Sequence, residues 1–597
     1  MLKCKSAAAI VLAGLFVVST GFAQSLGEKW NDFLHYTRIG RFDLAKGNAE
    51  AILQGNPDPA ELFKLTEENP QGYEFAITVG ESSHDTELAE LARKLVAVID
   101  QGRFTSRSDP RIIVEEIKRL SSTARGKLTA IQRLKDAGEY AIPYILDAMA
   151  DPSRQEELPN IIEALGQLGR PTVTPLTAAL QTKNISVKAE IVRALGKIGY
   201  PQSLPYLKYI VEKEKSQELR GLAAASVNQI NPSVANTPAT ALFLQLGEKY
   251  YYHTESLAPA ADANFANVWF WDSAGQKLTR EQVDKGYYYE LMAMQCCEWS
   301  LRADERFGFA IGLWLAAFFK AEATGVAMPK YFGDKHADAL VYATTAGPEY
   351  LHQALARAVN DKNADVALGA IEALATTAGE KSLLLAVGSV QPVLQAMSFD
   401  DKAVKYSAAI AVANAGPRQS FAENKLVVTN LAEALAQSGE PNQESSKRWN
   451  AELANSYALR AAEAMLKVAQ SRNPVINLAG AQTALVKATQ DKRKEIQVLA
   501  GEILAHLNSP DAQAAVAAMA LNGNNVAGVR ISAFESLGIS AKLNANLLPD
   551  ALVDQIYALI SAGDAAPELR TAAAAAYGAL NLPSRKVKDL ILDQAKS

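Results

Sequence analysis

Few residues in this chain have the types and spacing that chemistry needs. The best-formed group is Asp334, His336 and Asp338 in the run Y-F-G-D-K-H-A-D-A, with His352 further on. Carboxylate and imidazole at this spacing could join a metal site, which needs three or four convergent ligands. The same run also fits a helix start, with Asp334 as the cap and the others on the solvated face, and that reading is the simpler one. Cys296 and Cys297 are adjacent. Within a helix they point to different faces and cannot bridge without strain. There is no H-E-x-x-H, no C-x-x-C, no phosphate-binding glycine loop and no G-x-S-x-G elbow. Catalytic residues, metal ligands and cofactors are all expected to be absent.

Aromatic side chains offer a different chemistry, that of recognition. Tyrosine, tryptophan and phenylalanine are concentrated between Ala239 and Ala346. Most rings at helical spacing are core. Two pairs are candidates for more. Tyr250 and Tyr252 cannot both face one helix neighbour. Trp269 and Trp271 alternate in a stretch, Pro259 to Lys277, that reads as a folded-back loop. At least one ring of each pair is expected to line an exposed groove, so Tyr250, Tyr252, Trp269 and Trp271 form the candidate binding surface. Should the segment be only a packing junction, the surface belongs on the helices around Val366 to Gly416.

The elements that must position these residues are helical. In N-I-S-V-K-A-E-I-V-R-A-L-G-K-I-G-Y-P, Asn184 to Pro201, the residues Val187, Ile191, Leu195 and Ile198 recur at helical spacing. Gly196 and Gly199 suit a helix end, and Pro201 blocks continuation. A branched apolar residue followed eight positions later by another apolar one recurs along the chain. The pairs are Val187 with Leu195, Leu219 with Val227, Val366 with Leu374, Val404 with Val412, Ile496 with Leu504, Val529 with Leu537, and Leu569 with Tyr577. A helix hairpin of this kind cannot bury its own apolar face and must stack on another copy.

Val187, Lys188, Ala194, Leu195, Gly196, Ile198, Gly199 and Pro201 resemble the short bacterial HEAT repeat, and Val529, Arg530, Leu537 and Gly538 match it less fully. Tyr36, Gly40, Phe42, Ala45 and Pro57 resemble part of a tetratricopeptide unit, as does the junction Ser300 to Ile311. In that second register Ala293, Cys297 and Leu301 face inward and Cys296 does not. The resemblance implies an all-α fold, an α-solenoid of stacked helix hairpins, and a role in protein–protein contact without catalytic residues. The expected organisation is a signal peptide at 1–23, a tetratricopeptide-like segment at 24–104, HEAT-like arrays at 111–231 and 349–438, an aromatic-rich insert at 239–346, and a C-terminal HEAT-like array at 451–597. Polar breaks are expected at Thr105 to Pro110 and Asn231 to Thr237, with a linker at Gly439 to Lys447. Strand content is expected to be close to nil.

Composition narrows the function classes. The chain has 597 residues, 49% apolar and 21% charged, with a formal charge of −5. No dense Lys/Arg run is present, which argues against nucleic acid or an anionic membrane surface. Lys3 and Lys5, the apolar run Ser6 to Val18 and Gly21-Phe22-Ala23 read as a secretory signal peptide. The expectation is an exported, periplasmic or extracellular scaffold that holds a protein or peptide partner on the concave solenoid face, with no membrane span after cleavage. The alternative is a ligand- or metal-binding module or enzyme centred on 239–346, using His253, His336 or Cys296. A structural component of the cell envelope is a third reading.

Overall fold

Several repeat helices start from a residue whose side chain satisfies backbone donors with no partner inside the helix, although Lys494–Ala505, Ala527–Asn544 and Pro567–Ala579 start without such a bond. In the computed structural model, which describes residues 24–260, 263–333, 336–438, 449–562, 564–583, 587–588 and 591–592, Asn184 caps the helix Ile185–Ile198 by accepting from the Val187 amide. Ser216 does the same for Leu219, Asn363 for Val366 and Asp401 for Val404. The branched residue of the sequence marker therefore follows its cap by three positions. Its apolar partner eight positions later lies on the same face, a little over two turns on. Both members of all seven pairs are buried. Gly199, at φ +73°, closes the first of these helices with a left-handed residue, which costs glycine least.

The chain divides into two compact units. The first comprises Met1–Tyr200 with Ala260–Asn264 and Trp269–Thr279, and the second Pro201–Pro259, Phe265–Val268 and Arg280–Ser597. The signal-peptide reading at 1–23 and the linker reading at Gly439 to Lys447 lie outside the described residues.

In the first unit, helices Leu26–Arg38 and Phe42–Gln54 form a hairpin that packs, with Pro59–Glu68 and Pro70–Ser82, on the long helix Thr86–Ser108. Trp30, Phe33, Ala45, Ile52, Leu62, Leu88 and Leu95 make its core. Gly102 lets the long helix approach the start of its neighbour, because a Cβ there would lie 1.8 Å from the Pro59 carbonyl oxygen. The polar stretch Thr105 to Pro110 is not a break. The helix runs on to Ser108, and Asp109 alone separates it from Pro110–Arg119 while capping that helix.

In the second unit, helices Ala364–Thr377, Lys402–Ala415, Ala451–Gln470, Lys494–Ala505, Ala527–Asn544 and Pro567–Ala579 pack successively against one another. Pro392–Ala396, Asn424–Leu435, Gln482–Ala488, Pro510–Leu521 and Asp550–Ser561 form the second layer. This is an α-solenoid of stacked hairpins.

One element departs from the helical expectation. Phe265–Asp272 and Lys277–Asp284 pair as strands β1 and β2 of a two-stranded hairpin, where a folded-back loop is expected from the sequence. The run F-A-N-V-W-F-W-D is rich in β-branched and aromatic residues, which suit a strand, and four consecutive residues, Ala266 to Trp269, are buried.

Candidate functional site

The helix Ala239–Tyr251 ends inside the tyrosine run, and this separates the rings. Tyr250 is fully buried, and its hydroxyl accepts from Gln202. Tyr252 lies one residue past the helix and is 52% exposed. His253 then turns the chain with a left-handed backbone, φ +51°. Trp269 is buried, with its Nε1 donating to Glu139 at 2.6 Å. The Trp271 ring is half-buried, and its Nε1 is out of solvent contact with no hydrogen-bond partner among the described residues. Trp269 and Trp271 share one face of β1, because strand side chains repeat every second residue. The alternation expected for a loop is thereby corrected.

Behind Tyr252 the polar groups of the insert converge. Glu290, on the helix Tyr288–Ala303, is 1% exposed. Its Oε1 lies 2.5 Å from His253 Nε2 and 3.1 Å from Lys320 Nζ. Burial pushes this carboxyl up, but His253 and Lys320 together outweigh burial and hold it below its ordinary value. Lys320 also donates to the Tyr251 carbonyl at 2.7 Å and sits 4.6 Å from the centre of the Tyr251 ring. The His253 ring stacks on Tyr289 at 4.5 Å. Alongside, Arg357 donates to Glu248 and to the Tyr252 hydroxyl, which in turn donates to Asp361. The knot joins helices Ala239–Tyr251, Tyr288–Ala303, Phe309–Glu322 and Pro348–Asn360. Its charges face one another, so its chemistry is that of a clamp.

The other chemistry-bearing residues do not gather. His336 contacts the neighbouring Ala337 carbonyl, and Asp338 is exposed at the cap position of Ala339–Ala346 without a capping bond. His352 is buried and donates to the Ser382 carbonyl at 2.8 Å; burial pulls its pKa down. Asp334 lies outside the described residues. Among the described residues no three His, Cys, Asp or Glu side chains are placed to hold a metal. Cys296 and Cys297 are both fully buried free thiols, pushed up by burial. The outward placement expected for Cys296 is corrected, and Leu301, expected inward, is only half-buried. The reason is that Tyr288–Ala303 packs between Ala239–Tyr251 and Phe309–Glu322, so it is covered on more than one face.

A groove lies on three successive helices of the second unit, two of them within the stretch Val366 to Gly416 that the sequence offers as the alternative surface. Helix Ala364–Thr377 contributes Ile371, Glu372 and Ala375. Helix Lys402–Ala415 contributes Ser407, Ile410, Ala411 and Asn414, and Ala451–Gln470 contributes Arg460, Glu463 and Lys467. Each set follows helical same-face spacing. The volume of the open groove is about 360 Å³. Arg460 stands over the Tyr457 ring at 5.1 Å and 3.7 Å from Glu372, while Lys467 donates to the Asn414 carbonyl at 2.7 Å. The Ser407 and Tyr457 hydroxyls share a buried hydrogen bond at 2.8 Å.

The sequence profile of HEAT repeats matches residues 142–228. No curated protein matches the chain. Among solved structures, an engineered protein aligns at 15% identity over 79% of this chain and 99% of its own, with a TM-score of 0.28. Kap121p bound to Pho4p aligns at 12% identity over 95% of this chain and 74% of its own, TM-score 0.29. A structure from work on the cadherin–beta-catenin interaction aligns at 12% over 92% and 98%, TM-score 0.24.

Proposed function

We propose that this chain is an exported binding scaffold, and that it holds a protein or peptide partner in the groove across helices Ala364–Thr377, Lys402–Ala415 and Ala451–Gln470. One observation carries the reading. Three successive helices present polar side chains over a small-residue floor around an open volume of about 360 Å³. A solenoid offers its stacked helices as a continuous surface, and such surfaces serve recognition more readily than catalysis. Export rests on the first 23 residues, with their positive start, apolar run and small-residue end. No described helix is long and apolar enough to cross a membrane.

The test places a photo-crosslinking residue at Asn414 in the groove, at Lys425 on the second layer, and at Tyr252 in the insert, with the protein in its native cell. Partner adducts from position 414 and not from 425 are expected. Adducts from 252 alone would return the site to the aromatic insert, which the exposure of Tyr252 favours as the second reading. Sequencing the amino terminus of the native protein checks export. A mature start near Gln24 is expected, and a start at Met1 would refute it.

A further inference from the structure

His352 is a buried titratable group that neither the clamp nor the groove uses. It stands on the helix Pro348–Asn360 and is 1% exposed. Its Nε2 lies 2.8 Å from the Ser382 carbonyl oxygen, which can only accept, so the proton of the neutral ring sits on Nε2. Nδ1 then carries a lone pair. That atom is out of solvent contact and has no hydrogen-bond partner among the described residues. A neutral imidazole tolerates this arrangement. An imidazolium does not, because Nδ1 would gain a buried N–H with nothing to accept it.

No charge is placed to compensate. Helices Phe309–Glu322, Ala339–Ala346, Ala364–Thr377 and Pro392–Ala396 pack on Pro348–Asn360. On them Lys320 is held by Glu290, Glu322 accepts from the Ala339 amide, Tyr342 packs on Trp314 and Phe318, Glu372 faces Arg460, and Asp365 is exposed. On the helix of His352 itself, Glu349 is exposed, Tyr350 lies against Gly308, and Arg357 pairs with Glu248. Burial pulls the imidazole below its ordinary value of 6.5, and the Ser382 carbonyl is the one group that acts against burial.

Ser382 belongs to the segment 378–391, which joins Ala364–Thr377 to Pro392–Ala396 without a helix of its own. Its internal bonds are local. The Ser382 and Leu383 amides donate to the Gly379 carbonyl, and Val387 and Val390 bridge across Gly388 at φ +63°. Among the described residues, two polar bonds reach from it to parts of the chain beyond the helices it joins. One is the His352 bond, and the other runs from the Arg418 amide to Glu380 at 2.7 Å near the surface. Glu380 is thereby engaged, and Lys381 beside it is exposed. Leu383 is buried, while Leu385 and Val390 are exposed.

We propose that His352 is an acid-sensitive latch on the segment 378–391. Neutral, it holds the segment against the helix Pro348–Asn360. Protonated, it lets go, and the released segment adds Leu383 to the apolar surface of Leu385 and Val390. The sign follows from burial. The held ring binds its proton less readily than a released one, so the latch is complete above pH 6.5 and weakens as pH falls toward the lower value of the held ring. One proton is involved, so the released population rises by at most about tenfold per pH unit.

Hydrogen exchange on the full-length protein tests the latch at pH 7.5, 6.5 and 5.5, with rates corrected for the intrinsic pH dependence of exchange. Peptides covering 379–391 should lose about fivefold in protection between pH 6.5 and 5.5, the rise in released population for a ring that takes its proton at 6.5 when free and stays neutral when held. Peptides covering Lys402–Ala415 should keep their protection in the same digest. His352→Gln retains a donor for the Ser382 carbonyl and cannot titrate, so it should make the protection of 379–391 independent of pH. His352→Phe should show the same independence from a lower starting level. Unchanged protection in the natural protein would overturn the latch. So would an equal loss in Lys402–Ala415, which is general acid unfolding, or the same pH dependence in either folded variant, which assigns the proton elsewhere. If neither variant folds, the two sets of peptides from the natural protein decide.

Discussion

Replacing Lys320 by methionine tests the clamp behind Tyr252. The Glu290 side chain is 2% exposed and that of Lys320 25%, so the pair is largely shielded from water. Methionine keeps much of the packing and removes the charge. Glu290 then keeps His253 on Oε1, while its Oε2 already lacks a partner among the described residues, and the Tyr251 carbonyl loses its donor. Leaving one member of a buried pair uncompensated costs about 3–5 kcal/mol. The partial exposure of Lys320 places the expected loss near the lower end, about 3 kcal/mol at pH 7. The sign with pH is fixed by Glu290. Its folded carboxyl is held below its ordinary value of 4.5, so its contribution is complete above that value and is lost as pH falls through the lower folded one. Without Lys320 that depression shrinks, and below both values the carboxyl is neutral in either protein. The gap between the two proteins should therefore narrow on acidification. Urea unfolding at pH 7 and pH 4, with hydrogen exchange on peptides covering Tyr288–Ala303, measures it. A loss below about 1 kcal/mol at pH 7, or a gap that widens at pH 4, would refute the clamp. The double variant Glu290→Gln with Lys320→Met should recover part of the loss, since a buried amide needs no counter-charge.

Other changes test the scaffold. Leu195 is fully buried, so Leu195→Ala should cost about 2–5 kcal/mol by denaturant titration, and a change within error would misplace the helix face. Gly102→Ala drives a Cβ into the Pro59 carbonyl and should lose about 1–3 kcal/mol, read as lost exchange protection in Thr86–Ser108. Trp269→Phe removes the donor to Glu139, a bond to a charged group, and should cost about 1.5–3 kcal/mol; an unchanged midpoint would show that bond to be idle.

The repeat helices are legible in the sequence because everything that defines them is local. A cap such as Asn363, a branched residue three positions on and an apolar residue eight further all lie within one helix. The β hairpin is not legible in this way. Ala266 to Trp269 are buried without alternation, while β2, K-L-T-R-E-Q-V-D, is mostly exposed. Neither strand shows the period-two pattern that announces a half-buried strand. The error over Trp269 and Trp271 follows directly, since residues two apart oppose one another in a helix or an irregular loop and agree in a strand.

The groove escapes a linear reading for a different reason. Glu372, Asn414 and Glu463 stand more than forty positions apart, one on each of three successive helices, and only stacking brings them together. On its own helix each reads as a solvated position on an Ala-rich surface. The aromatic insert attracts notice because its residue types are unusual, yet most of its rings are consumed by packing. Tyr250 and Trp269 are buried, and Tyr252 is bound to Arg357 and Asp361. Where polar groups pair with one another, as around Glu290, they hold helices together. Beside the open volume, Glu463 and Asn414 are exposed and their side chains make no hydrogen bond among the described residues. That difference in commitment, more than residue type, is what supports the proposed groove on the stacked helices of the second unit.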